Sequence, residues 1–332
     1  MIRAHHGYLR LRGYLSRVHI GRRLVTLRLA PVRNFFMGLD RWLLRLVPPD
    51  ARSRHEFNLW AENGLGEIME RGHGWFTERA VSKMSLSSAD RILDLGCGDG
   101  WACRLMAARL GDLCHVVGLD VSDEMLRCAR TKSSQFERVA FLCGSAEHIP
   151  CRDQAFTEVL SVEAFYYFEH PEMVMKELLR VTAPDGQLFL LVCLYKNIRD
   201  WLLYANQLMV PVQVRSANEY KSMLRAAGWV DVHAEEWVQK CEPGRKPGGH
   251  DRALLITARR PCRKSALPDE RHHRSGSECD SSTTLPVPQD SGSGSTSNLD
   301  RKTYHEERVL SVVFDSEVRL PIRRSQIIKG KY

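Results

Sequence analysis

The sequence predicts an α/β fold: a doubly wound, mostly parallel sheet of seven strands, preceded by a helical cap. Three observations lead there. Residues 88–260 alternate short apolar runs with amphipathic stretches of helical period, the pattern of repeated strand–helix–strand units. The first apolar run enters a loop with glycine at every second position, Gly96-Cys97-Gly98-Asp99-Gly100, and a helical stretch follows. The next apolar run ends in an acid, Asp120, 20 residues past Gly100.

Each element has its own warrant. Residues 51–85 are polar with a helical period, and a break is expected at Arg71-Gly72. Residues 91–95 form the first strand, and 100–110 a helix with Leu105, Met106 and Leu110 as its apolar stripe. Residues 114–119 form the second strand. Ser122 caps the next helix, with Asp123 and Glu124 in the first turn where the helix dipole favours acids. The third strand is 139–142 and the fourth 158–161. Pro171 opens a helix that runs to Val181. Residues 188–193 are apolar throughout and read as a strand buried on both faces. Residues 216–227 form a helix ended by Gly228. Residues 229–237 and 253–258 close the fold as an antiparallel pair at one edge.

The glycine loop lets a ligand touch the main chain with no Cβ in the way, and the helix behind it offers free N–H groups. A dinucleotide loop would want glycine at position 101, which is Trp101. A phosphate-binding loop would need Gly-Lys-Ser/Thr, and none is present. Asp94 would repel a pyrophosphate and suits an ammonium group. Asp120 can accept hydrogen bonds from two ribose hydroxyls. Gly144-Ser145-Ala146-Glu147, just after the third strand, can hold an adenine edge. Together these describe a nucleoside bearing an amino acid and no phosphate, which S-adenosylmethionine satisfies.

Four blocks carry a family resemblance: Asp94-x-Gly96-x-Gly98-x-Gly100, Val117-Gly118-Leu119-Asp120-Val121-Ser122-x-x-Met125-Leu126, Gly144-Ser145-Ala146-Glu147-x-Ile149-Pro150, and Glu177-x-x-Arg180-Val181-x-x-Pro184-Asp185-Gly186. Over about residues 55–260 the chain resembles the class I S-adenosylmethionine-dependent methyltransferases of the small-molecule "type 11" kind. That resemblance implies a Rossmann-like methyltransferase fold with S-adenosyl-L-methionine as cofactor. It implies that Asp94, Gly96, Gly98 and Gly100 hold the methionine end, with Cys97 and Trp101 in the same loop. Trp101 either packs on the cofactor or covers the sheet. By the same resemblance Asp120 takes the ribose, Val121 and Met125 flank the adenine, Ala146 and Glu147 read it, and Ser161 lies near the sulfonium. Asp185 stands where the family usually has a second glycine. The turn is structural, so little effect on chemistry is expected.

The acceptor side follows the fourth strand, from Ser161 to His170, which in this fold faces the methyl group. The Asn/Asp-Pro-Pro-Tyr signature of adenine and amide N-methyltransferases is absent. In-line methyl transfer needs alignment above all. A base is needed only when the acceptor has a proton to lose, and the candidates are Glu163, His73 and Tyr166. In similar proteins residues 55–76 cap the pocket, so Trp60, Met69 and His73 are expected to line it. Gly72 and Gly74 would permit a mobile lid. Residues 194–215, with Tyr195, Trp201 and Val210-Pro211-Val212, read either as an acceptor-side wall suited to a small apolar or aromatic acceptor or as plain packing. The expected function is methyl transfer with release of S-adenosylhomocysteine. The alternative is a non-catalytic S-adenosylmethionine-binding assembly or regulatory factor. An open acceptor cavity continuous with the cofactor site favours the first.

Composition divides the chain as 1–50, 51–87, 88–260, 261–303 and 304–332. The net charge of +8 has an address. Eight arginines (3, 10, 12, 17, 22, 23, 28, 33) precede the first acid, Asp40, and without them the chain carries 40 basic and 40 acidic residues. The neutral body argues against a nucleic-acid partner. The leader resembles a mitochondrial presequence if the organism is eukaryotic, and otherwise the protein is expected in the cytoplasm. Alternatively residues 33–46 form an interfacial amphipathic helix in peripheral contact with a membrane. The ten cysteines are scattered with no C-x-x-C spacing, which reads as reduced intracellular thiols and no metal site. Residues 261–303 lack Phe, Tyr, Trp, Ile and Met and are expected to be a disordered linker. Residues 304–332 are a short segment of unknown role, within which the β-prone stretch Val309 to Ile322 is a docking peptide, an added edge strand, or nothing of consequence.

Overall fold

The computed structural model describes residues 47–87, 90–110, 114–196, 210–239 and 251–262. Residues 1–46 of the leader, nearly all of the linker and the C-terminal segment lie outside them. Two helices come first, α1 (Pro49–Glu62) and α2 (Leu65–Lys83). The sheet follows, interleaved with helices: β1 (Arg91–Leu95), α3 (Trp101–Leu110), β2 (His115–Asp120), α4 (Asp123–Lys132), β3 (Val139–Cys143) and β4 (Phe156–Val162). Next come α5 (Pro171–Val181), β5 (Thr182–Val192), α6 (Ala217–Ala226), β6 (Val230–Val238) and β7 (Arg252–Arg259). The strand order is β3-β2-β1-β4-β5-β7-β6. The first five strands run parallel, and β7 is antiparallel to both β5 and β6. This is the predicted doubly wound sheet.

Two apolar cores cover its faces. Phe76 and Val81 of α2, Met106 of α3 and Leu126 of α4 pack on one face against Ile92, Val116 and Leu191. Val174 and Leu178 of α5, with Tyr220 and Leu224 of α6, pack on the other against Leu93, Val159 and Leu190. Trp229 is fully enclosed there, and its indole N–H donates to the Met175 carbonyl at 3.1 Å. Ser122 caps α4 by accepting from Met125 N, and Ser216 and Glu219 form a reciprocal capping box on α6. Among the described residues no helix is long and apolar enough to cross a membrane.

Three local expectations need correction. The helical break lies at Asn63-Gly64, not at Arg71-Gly72: Gly64 takes the left-handed conformation (φ +67°) that favours glycine, whereas Gly72 and Gly74 sit inside continuous α2. No glycine hinge therefore flanks His73. The buried stripe of α3 is Ala102, Cys103, Met106 and Ala107, with Leu105 and Leu110 only partly covered, because small residues let α3 lie close to the sheet. Strand β5 begins at Thr182, earlier than its apolar run, because Thr182 already pairs with Phe156 ahead of a bulge. Asp185 in that stretch holds φ +61°, a conformation Asp tolerates better than most residues.

Glu158 sits on β4 between Ile92 and Gln187, 6% exposed, and its Oε2 meets no hydrogen-bond donor among the described residues. Burial, with the charge of Asp90 second, pushes its carboxyl up to about 8. The folded protein thus keeps a proton that the unfolded chain releases near its ordinary 4.5, so stability falls as pH rises from about 4.5 to about 8. Glu158→Gln is expected to flatten that fall. Urea midpoints of the two proteins should be close at pH 5, with the variant's higher at pH 8.

Candidate active site

The strand order reverses between β1 and β4, so the loops leaving them turn to opposite faces and open a crevice at the strand ends. A cavity that opens to solvent fills it. One side is built by the ends of β1, β2 and β3: Gly96 to Asp99, Trp101, Leu119 to Val121, Met125 and Gly144 to Glu147. The opposite side is built by α1, α2 and the segment after β4. It includes Phe57, Trp60, Met69, His73, Glu163 and Tyr167.

The glycine loop is drawn onto β2, since Gly96 N and Cys97 N both donate to the Leu119 carbonyl, at 2.8 and 3.1 Å. Asp120 then ties the loop in place. Its Oδ2 accepts from Gly98 N at 2.9 Å and its Oδ1 from Ser122 N at 2.8 Å. Burial raises the Asp120 carboxyl, and these backbone donors oppose the rise. Asp99 is 3% exposed. Lys132 donates to its Oδ2 at 2.7 Å, while Oδ1 has no hydrogen-bond donor and lies 4.0 Å from Arg104.

On the opposite side Glu163 takes φ +56°, a left-handed conformation unusual for a residue with a side chain. Its carboxylate accepts from the Tyr166 hydroxyl at 2.8 Å and from Cys193 N–H. His73 Nδ1 lies 3.7 Å from Glu163 Oε2 and 3.4 Å from Cys193 Sγ. Burial, then Glu163, holds the Cys193 thiol well above its ordinary range, so it stays protonated. Phe57, Trp60 and Tyr167 meet edge to face, with centroids 5.1–6.5 Å apart. Helix α1 is clamped over the cavity: Arg52 pairs with Glu169, Arg54 Nε donates to the Val121 carbonyl at 3.0 Å, and Asn58 accepts from Ser122 Oγ at 2.6 Å.

Of the residues singled out from sequence, Gly96, Cys97, Gly98, Trp101, Asp120, Val121, Met125, Ala146 and Glu147 line the cavity, as do Trp60, Met69, His73 and Glu163. Four do not. Asp94 lies under the loop, 1% exposed, where it accepts from the Cys103 thiol at 3.1 Å and burial pushes its carboxyl up to about 7. Gly100 serves packing, since a Cβ there would come within 2.8 Å of the Phe141 ring. Ser161 is fully buried and donates to the Leu95 carbonyl at 2.9 Å. Tyr166 lies behind the wall and steadies Glu163. Asp99 was missed, although it stands between two loop glycines. Of the predicted 194–215 wall only Pro211 among the named residues lines the cavity: Tyr195, Val210 and Val212 pack into the core instead, and Trp201 lies outside the described residues.

Residues 93–190 match a family model described as a methyltransferase domain. The chain is 35% identical over 109 residues to malonyl-[acyl-carrier protein] O-methyltransferase of Marinomonas sp. (strain MWYL1), covering 33% of this chain and 40% of that protein. It is 28% identical over 200 residues to 27-O-demethylrifamycin SV methyltransferase of Amycolatopsis mediterranei, covering 56% and 73%. Among solved structures it is similar to a chain of the complex between the Haloferax volcanii Trm112 methyltransferase activator and a methyltransferase. That match has a TM-score of 0.56 and 26% identity, over 62% of this chain and 98% of that one. The chain spans less than half the length of curated relatives such as the Marinomonas protein.

Gly96 holds φ +73°, and a Cβ there would lie 2.4 Å from the Ala164 Cβ. Gly96→Ala is therefore expected to destabilise the fold by about 1–3 kcal/mol through backbone strain alone, with the clash added. Gly96→Ala combined with Ala164→Gly should recover the steric part and remain below the parent in a urea melt. A single variant that melts like the parent would refute this close approach.

Proposed function

We infer that the chain, which belongs to the class I S-adenosylmethionine-dependent methyltransferases, transfers the methyl group of its cofactor to a small acceptor seated between α1, α2 and the segment after β4. The observation that carries this reading is the continuity of the cavity. The glycine loop, Asp120 and the aromatic wall at Trp60 and Tyr167 all open onto one space.

The residues present fit the cofactor. Each Asp120 oxygen is held by one backbone donor, which leaves acceptor capacity for two ribose hydroxyls. Asp99 Oδ1, buried without a hydrogen-bond donor, suits the ammonium of the methionine end. A Cβ at Gly98 would meet nothing within 4 Å, so the main chain there is open to a ligand. Val121, Met125 at the start of α4, Ala146 and Glu147 all border the cavity, in a set suited to the adenine. Bound S-adenosylmethionine supplies an electrophilic methyl group on a sulfonium and leaves as S-adenosylhomocysteine.

The chain's part is to align and enclose. The cap helices cover the cavity and limit water, which strengthens every charge interaction inside it. Phe57, Trp60, Tyr167 and Phe168 offer a wall for an apolar or aromatic acceptor body. Where the acceptor has a proton to lose, the adjoining Glu163 and His73 are placed to receive it.

Incubating the full chain with methyl-labelled S-adenosylmethionine and a small-molecule extract of the native organism tests the reading. Labelled product with stoichiometric S-adenosylhomocysteine supports it. Firm cofactor binding with no turnover would support the non-catalytic factor instead. Asp120→Ala is expected to weaken cofactor binding by about 1.5–3 kcal/mol, the scale of a lost charged hydrogen bond, and unchanged affinity by calorimetry would remove Asp120 from the ribose site.

A further inference from the structure

The acceptor wall is acidic as well as aromatic. Asp50, Glu163 and Glu169 line it, against one guanidinium, that of Arg52. Arg52 is already paired with Glu169, so Asp50 and Glu163 remain as excess negative charge. Asp50 accepts from the Ser145 hydroxyl at 3.2 Å, a neutral donor that leaves the charge in place. Phe57, Trp60 and Tyr167 stand on the same wall, and the faces of aromatic rings attract cations. Asp50 is exposed at the rim, so inside the cavity an acceptor meets Glu163 with His73 beside it, and an anionic acceptor would add a negative charge next to that carboxylate.

Glu163 is held where it is by unusual means. Its backbone keeps a left-handed conformation, Tyr166 and Cys193 N–H grip its carboxylate, and the residue still borders the cavity. Strain retained at a carboxylate in a cavity wall marks a position fixed by more than packing. His73, 3.7 Å from Glu163 Oε2 and also in the wall, gives a proton a second resting place.

We propose that the acceptor is a primary or secondary amine that arrives as its ammonium ion, with the nitrogen at Glu163 and the apolar body against Phe57, Trp60 and Tyr167. The proposal rests on the methyltransferase reading and names its substrate class. The ammonium gives one proton to the Glu163–His73 pair. The freed nitrogen lone pair forms the N–C bond as the C–S bond breaks, its electrons staying on sulfur. The proton then leaves to water.

Calorimetry on the full chain saturated with S-adenosylhomocysteine tests this with three probes of one shape: 2-phenylethylamine, 2-phenylethanol and 3-phenylpropionate. The amine is expected to bind at least tenfold more tightly than either other probe. Glu163→Gln should remove most of that preference while the alcohol's affinity changes less than twofold. Asp50→Asn, outside the grip on Glu163, should cost the amine about two- to threefold. Equal binding of the probes, preference for the alcohol or carboxylate, no binding of the amine, or a preference that survives both substitutions overturns the proposal. S-adenosylhomocysteine is titrated first: if it fails to bind, the methyltransferase reading fails and takes the proposal with it. If it binds and the amine shows no preference, only the proposal fails.

Discussion

The carboxylate of Asp120 joins two loops that would otherwise be independent. Strand β2 delivers it beside β1, because parallel pairing sets Leu119 against Leu95. One oxygen then holds the glycine loop at Gly98 and the other holds the start of α4 at Ser122. The position of the loop fixes where α3 can begin, and Gly100 lets that helix pack against Phe141. The position of α4 fixes Met125 in the cavity wall and presents Ser122 to Asn58 of the cap. Cap, sheet and donor loops therefore meet at one buried charge. Such a charge is tolerable only because backbone donors satisfy it.

The sheet and most of the cavity wall around the glycine loop were legible in the sequence because local rules determine them. Alternation of apolar runs, the cap at Ser122 and the proline before α5 each act over a few residues, and the elements they predict lie within a few residues of those observed. Asp94 and Asp99 show where such rules stop. Both are acids in the same loop, but β1 points Asp94 into the gap beneath the loop, where Cys103 meets it. Asp99 falls past the turn and opens onto the cavity. Pattern alone does not say which side of a tight loop a side chain faces. The cap failed for a related reason: Gly72 and Gly74 resemble a hinge in isolation, yet packing of Phe76, Thr77 and Ala80 keeps the helix continuous through them.

Glu163 carries information that no sequence rule supplies. Its left-handed backbone exists because Glu163 N donates to the Leu191 carbonyl while the side chain reaches back to Cys193 N–H and Tyr166. These partners come from β5 and from the turn after β4, so the arrangement is assembled only when the sheet closes. The pairing of Arg52 with Glu169 is likewise long-range, linking α1 to the approach of α5. A half-buried ion pair of this kind adds little net stability, since desolvation of Arg52 offsets much of its attraction. Its effect is geometric: it sets how far α1 stands from the strand ends, and so the width of the acceptor space.

A methyl donor housed among cysteines poses a hazard, since a thiolate would take the methyl group itself. Cys97 lines the cavity, with Cys103 directly behind it and Cys193 behind His73. The fold removes the hazard electrostatically. Burial first, and then the charges of Asp120, Asp94 and Asp99, push the Cys97 thiol up to about 11. At pH 7 the thiolate is then about one part in ten thousand. Burial likewise holds the Cys103 and Cys193 thiols well above their ordinary range, with Asp94 adding to the first and Glu163 to the second. Burial does most of this, and the acids around the glycine loop add to it, so the same enclosure that shapes the site also keeps its sulfur atoms protonated.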